Sequence, residues 1–76
     1  MKKLVKQMVA ALVDHPRHVK VTEIKGEKSV VYELRCHEKD VGKVIGRSGK
    51  TVGAMRTLLG AVAARDGRRA MLEVVE

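Results

Sequence analysis

Aromatic side chains are almost missing from this chain: Trp and Phe do not occur, and Tyr32 stands alone. Modules that stack nucleobases on exposed aromatic rings, such as RRM sheets and many OB barrels, are excluded on that count. A single cysteine, Cys36, leaves no partner for an internal disulfide and no cysteine-built metal cage. No apolar run approaches the roughly 20 residues needed to cross a bilayer. Met1-Lys2-Lys3 leads into an amphipathic segment without a small-residue cleavage site, so a cytoplasmic location is expected. Asn is absent and Gln7 is the only Gln, a depletion of thermolabile amides that leans towards a hot environment.

Carboxylates are unevenly spread. None occurs in residues 41–65, within a chain of net charge +7 and pI near 10.0. An excess of that sign favours polyanionic partners, and its placement says more than its size. Seventy-six residues form one small domain, 1–76, burying about 60% of the surface its unfolded chain exposes. A hydrophobic content of 45% is enough to attempt a core without disulfides or metal.

The apolar pattern divides the chain into six elements. Leu4, Val5, Met8, Val9, Leu12 and Val13 recur at helical spacing, and Asp14-His15-Pro16 is expected to stop that helix. A strand follows over about 19–25, with alternation broken at Glu23-Ile24, as a bulge or an edge position would do. Gly26-Glu27-Lys28 reads as a hairpin turn. In the second strand Val30, Tyr32, Leu34 and Cys36 face one way, against Val31, Glu33, Arg35 and His37. A short helix over 38–45 and a longer one from about Lys50 come next, the latter with Val52, Met55, Leu58, Leu59, Val62 and Ala63 as its core stripe. After Asp66-Gly67, Ala70, Leu72 and Val74 alternate with Met71, Glu73 and Val75 in a last strand. The order is α-β-β-α-α-β, and the two helices between the second and third strands allow a parallel pair.

Between the two later helices lies Val44-Ile45-Gly46-Arg47-Ser48-Gly49-Lys50-Thr51-Val52. Two glycines let a phosphate backbone approach the unpaired N–H groups and positive dipole end of a helix N-terminus. Ser48 is placed to cap that helix. A nucleotide-binding P-loop ends in the same Gly-Lys-Thr, but its first glycine would fall at Val44. The preceding segment also has helical rather than strand spacing, and no apolar run ending in Asp is present to hold magnesium. The P-loop reading therefore fails.

VIGRSGKTV resembles the signature of K-homology (KH) domains: an aliphatic pair, Gly-x-x-Gly, then an aliphatic residue. With the extra helix and strand ahead of the core, the element order is similar to the type II, or prokaryotic, KH fold. That fold is α+β, with three helices on one side of a three-stranded mixed sheet. A free-standing KH domain of this length resembles the small bacterial KhpA family of RNA-binding proteins. The resemblance implies that Gly46, Arg47, Ser48 and Gly49 clamp the backbone of about four single-stranded nucleotides. Arg47 can offer a planar fork to phosphate and Lys50 a point charge. Lys39, Lys43 and Arg56 are candidate further contacts, and Val44 and Ile45, with Val41 and Val52, are candidates for an apolar floor under bases. Burial statistics favour core over contact for these four. The resemblance also implies a non-catalytic RNA chaperone or post-transcriptional regulator, affecting cell shape and envelope synthesis, that pairs with a KhpB-type (Jag-like) protein.

Other residues have plainer readings. Cys36 continues an apolar face and reads as a buried thiol. His15, His18 and His37 are far apart in sequence, without ligand spacing, and read as surface or strand-end residues. Lys2, Lys3, Lys6, Arg68 and Arg69 read as solvated surface. No catalytic constellation, cofactor motif or small-molecule site stands out. Gly53, Thr57, Gly60, Ala61 and Ala64 form a stripe of small residues on the long helix. Two interior glycines cost about 1 kcal/mol each against Ala. Close packing inside the fold is the favoured account, and an interface is the other, as a homodimer or with a larger RNA-binding protein. Two functions are thus carried forward: a single-stranded RNA-binding module, and an adaptor whose main role is pairing with another protein.

Overall fold

A computed structural model describes residues 2–75 and contains the six expected elements in order. They are α1 (Lys2–Ala10), β1 (Lys20–Lys25), β2 (Ser29–Arg35), α2 (Val41–Ile45), α3 (Lys50–Arg65) and β3 (Arg69–Val75). Single 3-10 turns stand at Pro16–His18, Glu38–Asp40 and Arg47–Gly49.

The sheet has the order β1-β2-β3. β1 runs antiparallel to β2, joined by a turn in which the Gly26 N–H donates to the Ser29 carbonyl at 2.7 Å. β3 runs parallel to β2, from Ser29↔Arg69 to Arg35↔Val75, so α2 and α3 form the crossover between them. The core joins Val5 and Val9 of α1 to Val21, Val30, Tyr32, Leu34 and Leu72 of the sheet and to Val44, Val52, Met55 and Leu59 of the later helices. The α+β architecture is that of a type II KH domain. Tyr32 lies fully inside it, and burial, then a hydrogen bond with Glu23, push its hydroxyl pKa up to about 12.

One expectation about local structure changes, and one open alternative is resolved. The first helix ends at Ala10, short of Asp14, and Leu4 and Leu12 of its apolar stripe stay exposed. The cause is a long-range contact. The N–H groups of Asp14 and His15, which a longer helix would turn back on itself, donate instead to the Asp40 carboxylate at 3.3 and 2.9 Å. The break in the alternation of β1 is an edge effect and not a bulge, because its pairing with β2 is continuous. Ile24 therefore lies on the open face of the sheet, in a row with Val31 and Met71.

Candidate nucleic-acid interface

The glycine loop is built from backbone that only particular residues tolerate. Ile45 ends α2, and the Gly46 N–H closes that helix on the Gly42 carbonyl at 2.9 Å. Gly46 then takes φ 76°, ψ 172°, a region essentially reserved for glycine. A side chain there would also collide with Thr51, whose Cβ and backbone N lie 2.7 and 2.9 Å from the position of a Cβ. Ser48 (φ 57°, ψ 28°) and Gly49 (φ 73°, ψ 13°) are two successive left-handed residues that turn the chain into α3. The expected Ser48 cap is not formed. Gly49 occupies the cap position, and among the described residues no side chain accepts from the first turn of α3. The Gly49 and Lys50 N–H groups are held by the Gly46 and Arg47 carbonyls, and those of the next residues, Thr51 and Val52, are left for another acceptor.

The expected contact residues separate into three groups. Gly46, Arg47, Ser48, Gly49 and Lys50 lie together in the loop and the first turn of α3, with Arg47, Ser48 and Lys50 exposed. Ile45 is half-buried beside them, whereas Val44 is fully enclosed in the core and presents no surface. Val52 is buried likewise, and Val41 is half-buried. Lys43 turns away from the loop to pair with Asp14, with Asp40 at 3.8 Å, and the Asp14 hydrogen bond raises its pKa. Arg56 donates from Nε to the Leu72 carbonyl at 3.1 Å, covering the outer edge of β3. Lys39 is exposed in the turn that leads into α2.

A constellation escaped the sequence. Asp40 is the one buried charged residue among those described. It accepts from the N–H groups of Asp14 and His15 and meets His15 Nδ1 at 2.9 Å. Burial works against its charged form. The His15 side chain, the two N–H groups and the His15 charge outweigh burial and hold the carboxyl below its usual range. His15, His18 and His37, read above as unrelated, converge here. The His15 and His37 rings stack at 4.2 Å, and His18 stands edge-on at 6.0 and 5.2 Å from them. Their separations of 3, 19 and 22 positions carry no periodic signal, so only the tertiary fold reveals the group. Cys36 is half-buried next to it in sequence, its thiol pushed up by burial and then by Asp40.

The stripe of small residues on α3 does not pack inside the fold. A Cβ at Gly53 or Gly60 would meet nothing within 4 Å, and Thr57, Ala61 and Ala64 are exposed. The favoured internal-packing account is thereby overturned.

A type II KH fold carrying a Gly-x-x-Gly loop between α2 and α3 defines the class of this protein. Its sequence matches the KhpA/KhpB KH-domain profile over residues 2–74, and the chain belongs to that family. It is 49% identical over 73 residues to the RNA-binding protein KhpA of Borreliella burgdorferi, covering 96% of this chain and 89% of that one. Identity to the Aquifex aeolicus protein of the same name is 45%, covering 100% of this chain and 96% of the relative. For the Chlamydia pneumoniae protein the figures are 41%, 100% and 97%. Among solved structures, Era in complex with MgGDPNP and nucleotides 1506–1542 of 16S ribosomal RNA superposes with a TM-score of 0.59 at 19% identity. That match covers 96% of this chain and 28% of Era, and it bears on the fold.

Proposed function

We propose that this protein is a non-catalytic single-stranded RNA-binding module whose Gly46–Gly49 loop grips the phosphate backbone. The observation that carries the reading is the uncapped first turn of α3. Its N–H groups beyond Lys50 have no side-chain acceptor among the described residues, are reached through a loop without side chains at two points and are flanked by Arg47 and Lys50. The absence of carboxylates over 41–65 removes competing anions from the segment. The relatives named RNA-binding protein KhpA support the same assignment. Contacts made chiefly to backbone give slight sequence preference, as a cytoplasmic RNA chaperone or post-transcriptional regulator needs.

The test is the double substitution Arg47→Asp with Ser48→Asp. Both glycines remain, and Asp tolerates the left-handed backbone of position 48 better than most residues. Single-stranded RNA affinity is expected to fall at least about tenfold while the melting temperature moves by only a few degrees. A folded double variant that binds with unchanged affinity would falsify the loop as the site.

A second reading has its own observation, the unfilled space over Gly53 and Gly60. The outer face of α3 then serves as a pairing surface, in a homodimer or with a KhpB/Jag-like RNA-binding protein, and the chain acts also as an adaptor.

A further inference from the structure

The fold makes different demands on the three histidines of the cluster. His15 serves Asp40 through Nδ1. His37 caps the turn before α2, its Nδ1 accepting from the Lys39 N–H at 3.1 Å. His18 serves no such structural purpose. It is exposed, and no hydrogen bond or ion pair engages its ring among the described residues. It is nevertheless held edge-on against the two stacked rings. With Tyr32 enclosed in the core, these imidazoles are the aromatic surface available to solvent among the described residues.

The surroundings favour an anionic strand. Lys20 and Arg35 face each other across β1 and β2 at this end of the sheet, Arg17 lies beside His18, and Lys39 follows His37. All four are exposed and make no ion pair among the described residues, against Glu38 as the unengaged carboxylate. Asp14 and Asp40 are occupied by Lys43 and His15. The turn Glu38–Asp40 and α2 connect this patch to the glycine loop. At the rise of 3-10 and α helix they span about 14 Å at most. About four stacked nucleotides cover that distance at ~3.4 Å each.

We propose that His18, backed by the stacked pair His15 and His37, stacks a nucleobase of single-stranded RNA whose backbone is held at the Gly46–Gly49 loop. The exclusion of base stacking for want of Trp, Phe and exposed Tyr therefore does not hold for this chain, because imidazole serves as a stacking platform too. The inference rests on the loop reading and extends it to a second contact, reached only by a longer strand.

The experiment compares oligouridylates of about four and about ten nucleotides, the first matched to the loop alone. Binding is read by fluorescence anisotropy at one fixed pH and salt concentration. His18→Ala is expected to weaken the longer oligomer about fivefold or more and to leave the shorter one and the melting temperature unchanged. His18→Phe is expected to retain the longer oligomer's affinity, and abasic sites in that oligomer are expected to abolish the difference between wild type and His18→Ala. Equal affinity of wild type and His18→Ala for the longer oligomer overturns the proposal, as does rescue by His18→Lys but not by His18→Phe, which marks a phosphate contact. If the wild type binds neither oligomer, the loop reading itself has failed and this inference falls with it. Retained binding of the short oligomer without any effect at His18 removes the second contact alone.

Discussion

A methyl group at position 46 would have to occupy space that Thr51 already fills, and the backbone there has a conformation only glycine adopts readily. Gly46→Ala is therefore expected to destabilise the fold by at least about 2 kcal/mol, read by chemical denaturation. Gly49→Ala, with open space around its Cβ and only a left-handed φ to satisfy, is expected to cost about 1–2 kcal/mol. Equal losses at the two positions would mean that strain alone, without the Thr51 contact, sets the requirement. The glycine spacing was legible in the sequence because a loop motif is local, whereas the difference between the two glycines depends on where Thr51 packs. Asp40 was illegible for a related reason. It reads as a surface carboxylate at a helix start, and only the fold delivers the N–H groups of Asp14 and His15 to it. Because its carboxyl is held below the usual range, its contribution is complete above the unfolded-state value and disappears as pH falls through the folded one. Acid unfolding below a pH of about 4 is thus expected to lose part of its steepness in Asp40→Asn, whose melting temperature at neutral pH is expected to drop by at least about 5 °C. An unchanged acid transition in that variant would remove Asp40 from the account.

Elements show the opposite balance. The six segments, their order and the parallel pairing of β2 with β3 follow from periodicity and from the number of helices in the crossover, both visible along the chain. Their ends were less visible. α1 stops at Ala10 because two N–H groups are claimed by a residue 25 positions or more away, a competition no local pattern records. The faces of α3 divide in the same way. Val52, Met55, Leu59 and Ala63 are buried as the stripe predicts, while Leu58 is 45% exposed on the rim of the small-residue face. That face gives a prediction in two parts. Gly53→Ala and Gly60→Ala remove the helix-interior penalty without meeting any neighbour, so each is expected to stabilise the isolated domain by about 0.5–1 kcal/mol. Gly60→Leu leaves the monomer folded by the same reasoning, yet it blocks any close pairing through α3. Sedimentation together with circular dichroism separates the cases. A Gly60→Leu protein that is folded and has the association state of the wild type removes the homodimer form of the adaptor reading. An unfolded one contradicts the open space over the helix.

At the scale of the whole molecule, charge has to be counted by what remains free after folding. Sixteen Lys and Arg residues against nine carboxylates describe the composition, but the fold has already engaged several of them. Lys43 is held by Asp14 and Asp40, Arg56 by the Leu72 carbonyl, and Lys25 meets Glu23 at 3.7 Å. Around the glycine loop Arg47 and Lys50 are left, with Lys39 at the far end of α2. Each phosphate neutralised on a single strand contributes about 0.7 to the slope of log affinity against log salt. A strand of about ten nucleotides, long enough to reach Lys39 from the loop and engage these three cations, is therefore expected to show a slope of about −2. Lys43→Ala is expected to leave that slope unchanged while lowering the melting temperature, since its charge is directed at the α1–β1 connection and not at the loop. Lys50→Ala is expected to reduce the slope by about 0.7 with little effect on stability. Binding isotherms across a salt series for the three proteins test this division directly. A slope that falls in Lys43→Ala and stays constant in Lys50→Ala would place the phosphate track along the Asp14 side of α2, and the grip would no longer lie at the N-terminus of α3.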